Sequence, residues 1–287
     1  MRVITISTDR YTKGREIEES VAQQLGYECV SREVILAAAK ELGVPEMKIL
    51  RTIKDTSSIL GMFSRSRKRY MVYIKSMVAS YMLKHDIVYH GLVGHPIIRG
   101  VSHVLKVRII ANLEDRVHLE MERESITEAK ARKRIADLDD QQKKWGKAIY
   151  GIDITDPSFY DLVINEGHIE ADDTEDAIET IVSTASHKKY QPNTYSINCM
   201  KNIELSCRIE AALFDKDPSV EVISDKGSVY VYTKYLKRKN HRQGLEFKEE
   251  IMKIEGVEHV EIYNDSKRFK ECATGNTYCK LPGEAGG

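Results

Sequence analysis

Thr12, Lys13, Gly14 and Arg15 stand between an apolar run, Val3-Ile4-Thr5-Ile6, and a segment with helical periodicity that starts at about Gly14. A glycine flanked by two cations at a strand-to-helix junction is able to hold a phosphate. Successive backbone N–H groups and the helix N-terminus point at the anion, and the cations add charge. The stretch departs from G-x-x-x-x-G-K-[ST]. Gly14 is its one glycine, and Glu16 occupies the turn where Ser or Thr would ligate magnesium. On these residues alone two readings stand side by side, an atypical phosphate cradle and a plain strand-to-helix connection.

Two further groups carry chemistry. The stretch "SRSRKRYMVYIK" gathers Arg65, Arg67, Lys68, Arg69 and Lys75. It reads either as a site for an anionic partner or as the solvated basic start of a helix. In "VYHGLVGHPIIRGVSH", His90, His95 and His103 accompany Gly91 and Gly94. They follow a strand pattern and so lie at the C-terminal edge of a sheet, where open α/β folds bind ligands. Exposed loop histidines are the alternative. Their spacing suggests no metal site. The strand before them has no acidic residue to hold magnesium, and the helix macrodipole explains Glu114 and Asp115 at a later helix start.

These residues need a frame. Strand patterns at about 2–7, 27–30, 86–90, 104–110 and 160–165 alternate with helical ones, which indicates a parallel α/β sheet. Helices are predicted from Gly14 to Gly26, from a Ser31 cap to Gly43, and over about 66–84, 114–123 and 127–147, with a last one capped by Thr174. Residues 1–186 form this unit and 187–197 a polar linker. Residues 198–265 form a smaller α+β unit with a helix over about 200–214, a hairpin turning at Asp225-Lys226-Gly227, a helix over about 242–254 and a final strand. Residues 266–287 read as a flexible tail. The basic stretch Lys234, Lys237, Arg238, Lys239, His241 and Arg242 could meet an anion or simply be solvated.

Composition narrows the class. Forty-four Lys and Arg balance forty-four Asp and Glu, so no global field draws the chain to nucleic acid. No apolar run approaches the ~20 residues that span a bilayer. Cys29, Cys199, Cys207, Cys272 and Cys279 are loosely spaced, which fits reduced thiols in a cytoplasmic protein.

The frame "ITIS…GREIEESVAQQLGYECVSREVI" resembles the cytidylate-kinase-like family of P-loop proteins. "LKVRIIANLEDRVHLEMERESITEAKARKRI" is similar to that family's fourth-strand and lid region, and "YGIDITDPSFYDLVIN" to its D-x-x-D-P-x-x-Y-D-L-V-I-N segment. The resemblance covers roughly residues 2–184. It implies a P-loop NTPase-type parallel sheet flanked by helices and an ATP-dependent nucleoside monophosphate kinase using ATP with Mg2+. Carried over by position, Thr12, Lys13, Gly14 and Arg15 would form the phosphate loop. Arg116, Arg123 and Asn165 would lie on the nucleotide side. Lys13, Arg15 and Arg134 would act on the transferring group, and Arg32, Arg67, Arg69, His90 and Arg99 would face the acceptor.

Departures accompany the matches. The family's loop reads Y-G-S-G-G-R-E-I, so Tyr11 and Lys13 replace two glycines. Ser31-Arg32-Glu33 stands for Asp-Arg/Lys-Glu, and Gln142 and Lys147 stand where lid arginines are found. Lysine neutralises a phosphate without the planar bidentate grip of arginine. Residues 200–264 resemble a BON-like module, which implies a partner-binding rather than a catalytic unit. Two functions therefore stand open: a CMP-directed kinase, and a non-catalytic regulatory or adaptor protein whose C-terminal module docks a protein partner.

Overall fold

The structure is a computed structural model that describes residues 1–9, 13–54, 64–91, 97–98, 100–166, 171–235 and 241–263. Five parallel strands form its main sheet: β1 (Val3–Thr8), β2 (Glu28–Val30), β3 (Ile87–His90), β4 (Val104–Ile110) and β5 (Leu162–Asn165). Their order across the sheet is β2-β3-β1-β4-β5. The chain leaves β1 towards one edge and β4 towards the other. The crevice at their C-terminal ends is thus the switch point where open parallel sheets bind ligands.

Strand alternation divides the core in two. Val3, Val30, Ile87, Tyr89 and Val104 face one side of the sheet. Ile4, Ile6, Val88, Leu105, Val107 and Ile109 face the other. With both faces covered, the strands read as near-continuous apolar runs. The second face is closed by α1 (Gly14–Leu25) through Ile17 and Val21, and by α7 (Ala171–Ser186) through Ala177 and Ile181. The first is closed by α2 (Arg32–Leu42), α3 (Glu46–Lys54) and α4 (Arg65–Lys84), which contribute Val34, Ile49, Met71, Ile74 and Val78. Helices α5 (Leu113–Glu124) and α6 (Glu128–Tyr150) pack on each other around Val117, Ala131 and Ile135.

Gly26 and Gly43 end α1 and α2 as the sequence predicts, at φ of 68° and 62°, where a side chain would be strained. Several local expectations are corrected. Ser31 precedes α2, but its side chain accepts no capping bond; its own N–H donates to Glu33 Oε2 at 2.8 Å. Thr174 is buried inside α7, which starts three residues earlier, so it is no cap. The short helix α3 was not anticipated.

The expected linker also holds structure. Asn193 Oδ1 accepts from Ser196 N–H at 2.9 Å, and Ser196 Oγ accepts from Asn193 N–H at 3.1 Å. This reciprocal cap starts α8 (Thr194–Leu213) about six residues before the predicted helix. Beyond it, β6 (Glu221–Asp225) pairs antiparallel with β7 (Ser228–Tyr232), and β8 (His259–Tyr263) runs parallel to β7. The remaining helix is α9 (His241–Met252). Helix α8 serves both units. Cys199, Met200, Ile203 and Cys207 join the core over α4, while Leu205, Ile209 and Leu213 pack with Val229, Val231, Phe247 and Ile251. Among the described residues no helix is long and apolar enough to cross a membrane.

Candidate nucleotide site

The β1–α1 junction lies at the switch-point crevice, where the sheet places it. Lys13 is the N-cap residue of α1, and its side chain makes no capping bond. Its backbone N–H donates instead to Glu166 Oε2 at 3.1 Å. Glu166 follows β5 directly and is 3 % exposed, its own N–H bonded to the Ile110 carbonyl at 2.9 Å. Burial pushes its carboxyl above the usual range, against the opposing pull of the Lys13 N–H and charge. An anionic group already sits at the positive end of α1.

Beside the junction is a buried charge cluster. Arg108, 5 % exposed on β4, donates to Asp9 Oδ1 at 2.6 Å and to the Ile154 carbonyl at 3.3 Å, with its guanidinium 5.7 Å from the Tyr160 ring centre. Arg116 grips Asp139 with two bonds of 3.0 and 2.7 Å and stands 3.9 Å from Asp9. Burial raises the Asp9 carboxyl, while Arg108 and Arg116 oppose that rise. The cluster joins β1, β4, α5, α6 and the segment before β5. Within that segment each acidic side chain holds backbone in place: Asp153 accepts from Thr155 N–H, Asp156 from Ser158 N–H, and Asp161 from Lys106 N–H.

The predicted residues divide by location. Lys13, Gly14, Arg116 and Asn165 come to the crevice edge, Asn165 ending β5 beside Glu166. Arg15 starts α1, but its side chain is 88 % exposed and donates from Nε to Glu19 at 2.8 Å. A shallow, open depression of about 480 Å³ runs there, lined by Lys13, Arg15, Glu16, Glu19, Ser20 and Gln23. Arg134 bridges α6 to α5, 3.0 Å from Glu120 and 3.2 Å from Glu124, and Arg123 is 3.4 Å from Glu124 at the surface. Thr12, His95 and Arg99, and the Arg32 side chain, lie outside the described residues, as do Cys272 and Cys279.

Of the acceptor-side residues, Arg67 is 1 % exposed at the start of α4. Arg69 donates to Asp215 Oδ2 at 2.8 Å and Arg65 to the Asp215 carbonyl at 2.9 Å, so this end of α4 is tied to the chain just past α8. His90 Nδ1 lies against the carboxyl of the buried Glu18 of α1. His103 is fully buried, and burial holds its imidazole down to about 4.

Sequence reasoning passed over Asp9, Arg108 and Glu166. For Arg108 a signal was present: a cation inside the apolar strand "VLKVRII" needs a buried partner. For Glu166 there was none, because only the pairing of β4 with β5 brings it to Lys13.

Among the described residues, the start of α1 carries the Lys13 N–H bonded to Glu166, and the buried Arg108 and Arg116 belong to the adjoining Asp9 cluster. Among the described residues no cluster of three or more His, Cys, Asp or Glu could cage a metal.

Residues 3–168, more than half of the 287, match the model of a family described as the cytidylate kinase-like family. A cytidylate kinase of Methanopyrus kandleri is 40% identical over 70 residues, 24% of this chain and 36% of that protein, so the match spans about a third of that relative's length. An uncharacterized protein from Eubacterium ventriosum superposes with a TM-score of 0.49 at 16% identity, over 64% of this chain and 98% of that one. A shikimate kinase from Bacteroides thetaiotaomicron gives 0.41 at 10% identity, over 65% and 99%.

Proposed function

The chain belongs to the cytidylate kinase-like family, and from that premise we propose that it binds ATP at the β1–α1 junction and transfers a phosphoryl group to a CMP-like nucleoside monophosphate. The observation that carries the reading is the anion at α1: a carboxylate already uses the Lys13 N–H where a phosphate would lie. Phosphoryl transfer asks a protein chiefly for positioning and charge neutralisation. Lys13 and Gly14 would hold the phosphates through backbone amides. Arg15, Arg116, Arg123 and Arg134 would supply charge from α1 and the α5–α6 pair, and Asn165 would stand beside the base. Magnesium bound with the nucleotide would neutralise phosphate charge. Arg67, Arg69 and His90 would orient the acceptor. The reading includes a cytoplasmic location, a kinase-like unit over 1–186 and a partner-binding, BON-like unit over 198–265.

A second reading, a regulatory or adaptor protein without catalysis, is supported by the engagement of the needed cations. Arg116 is held by Asp139, Arg134 by Glu120 and Arg69 by Asp215. Thermal-shift titration with ATP, CMP and both, with and without Mg2+, separates the two, because a ligand of the native state raises the melting temperature. The kinase reading requires a shift with ATP that grows with CMP, followed by CDP formation. A shift with neither nucleotide sinks it and leaves the adaptor reading.

A further inference from the structure

We propose that Glu166 is an internal anion holding the phosphate position at the start of α1, so that a ligand phosphate binds there by displacing its carboxylate. The inference rests on the nucleotide-binding reading and adds to it how the site is regulated. Two independent features support it. Glu166 Oε2 takes the backbone N–H of Lys13, the residue from which α1 begins, at 3.1 Å. Its other oxygen, Oε1, is buried and has no hydrogen-bond partner among the described residues.

One carboxylate that braces the fold, Asp217, is held by more bonds than Glu166. Asp217 accepts from Ser219 N–H and Oγ, from Thr233 Oγ1 and from Lys234 N–H, at 2.6 to 2.9 Å. Both of its oxygens are satisfied. Among the described residues Glu166 gives up one hydrogen bond and the attraction of the Lys13 charge when it leaves, and is freed from the repulsion of Glu16 in the first turn of α1. A phosphate group brings more acceptor oxygens and more charge to the same helix end. The backbone of Glu166 is fixed by its bond to Ile110, so side-chain rotation alone vacates the position and the sheet stays intact.

The test is isothermal titration of the full chain and its Glu166→Gln and Glu166→Ala variants with inorganic tripolyphosphate and with ATP–Mg2+. Gln keeps the shape and an acceptor oxygen while removing the charge, so it carries the test if Ala fails to fold. Removal of the competing anion is expected to tighten tripolyphosphate and ATP about tenfold or more. Variants that bind no more tightly than the wild type, or more weakly, overturn the inference while leaving nucleotide binding intact. Tightening for tripolyphosphate without any binding of ATP supports the internal anion and overturns the nucleotide reading. Binding of neither ligand by any of the three chains overturns both.

Discussion

Arg108 occupies the middle of a buried strand, where an unpaired guanidinium would be untenable, and Asp9 is the carboxylate that makes the position possible. Arg108→Met should cost about 3 kcal/mol, the lower end for breaking a buried pair, because Arg116 stays 3.9 Å from Asp9. Without Arg108 the Asp9 carboxyl, already raised by burial, rises further. A carboxyl with a raised folded-state pKa destabilises when forced to ionise, so the deficit should be larger at pH 8 than at pH 5. Urea unfolding at both values checks this, and equal losses would mean that Asp9 is not the group left behind. His103 has the opposite charge type. Burial holds it neutral down to about 4, against 6.5 for the free side chain. The unfolded chain therefore takes up a proton that the folded one refuses. Stability should fall as the pH drops from about 6.5 to 4, by at most roughly 3 kcal/mol. His103→Phe should flatten that slope by one proton in denaturation measured across the interval.

Helices decide which predicted residues are within reach of a ligand. Arg15 begins α1 but pairs with Glu19 across one turn, an exposed contact that solvent screens. Turning it towards a phosphate costs little. Arg15→Ala should abolish most of the ATP-induced rise in melting temperature and leave the unliganded value within a degree or two; an unchanged rise would place Arg15 on the surface only. The start of α4 is more constrained. Arg67 is buried there, so its removal confounds binding with stability, and Arg69 is the cleaner probe. Its pair with Asp215 is partly exposed and worth about 1 kcal/mol or less. Arg69→Ala should weaken CMP binding with a small stability change. Equal CMP affinity in wild type and variant would assign Arg69 to holding the C-terminal unit alone.

At the scale of the molecule, α8 turns two units into one. Its residues near 200, 203 and 207 pack over α4, and those at 205, 209 and 213 pack under the small sheet. A single helix with two apolar faces cannot melt in one unit without exposing the other. Ile209→Ala should cost about 2–5 kcal/mol. Calorimetry should then show one transition moved to lower temperature. A separate C-terminal peak, with the rest melting at the wild-type value, would show that the units unfold independently.

Legibility followed the range of the interactions. Strands and most helices were readable because alternation and 3.6-residue periodicity are local consequences of which face is buried, and Gly26 and Gly43 marked helix ends through their own backbone freedom. Helix α8 was read late because "HKKYQPNTYS" is polar and holds a proline, although the Asn193–Ser196 cap lay within it. The β1–α1 junction was visible as a strand, a loop with cations around Gly14, and a helix. The occupant of that junction was not, since Lys13 and Glu166 are 153 residues apart along the chain. By itself, then, the sequence determined the parallel α/β frame, the place of the loop within it and the family, because these depend on local pattern and motif order. Only the tertiary structure decided which carboxylate meets which donor, a side-chain cation in three cases and the Lys13 backbone N–H in the fourth. Asp9 with Arg108, Asp139 with Arg116, Asp215 with Arg69 and Glu166 with Lys13 are pairings made by strand order and helix packing, and no spacing along the chain specifies them.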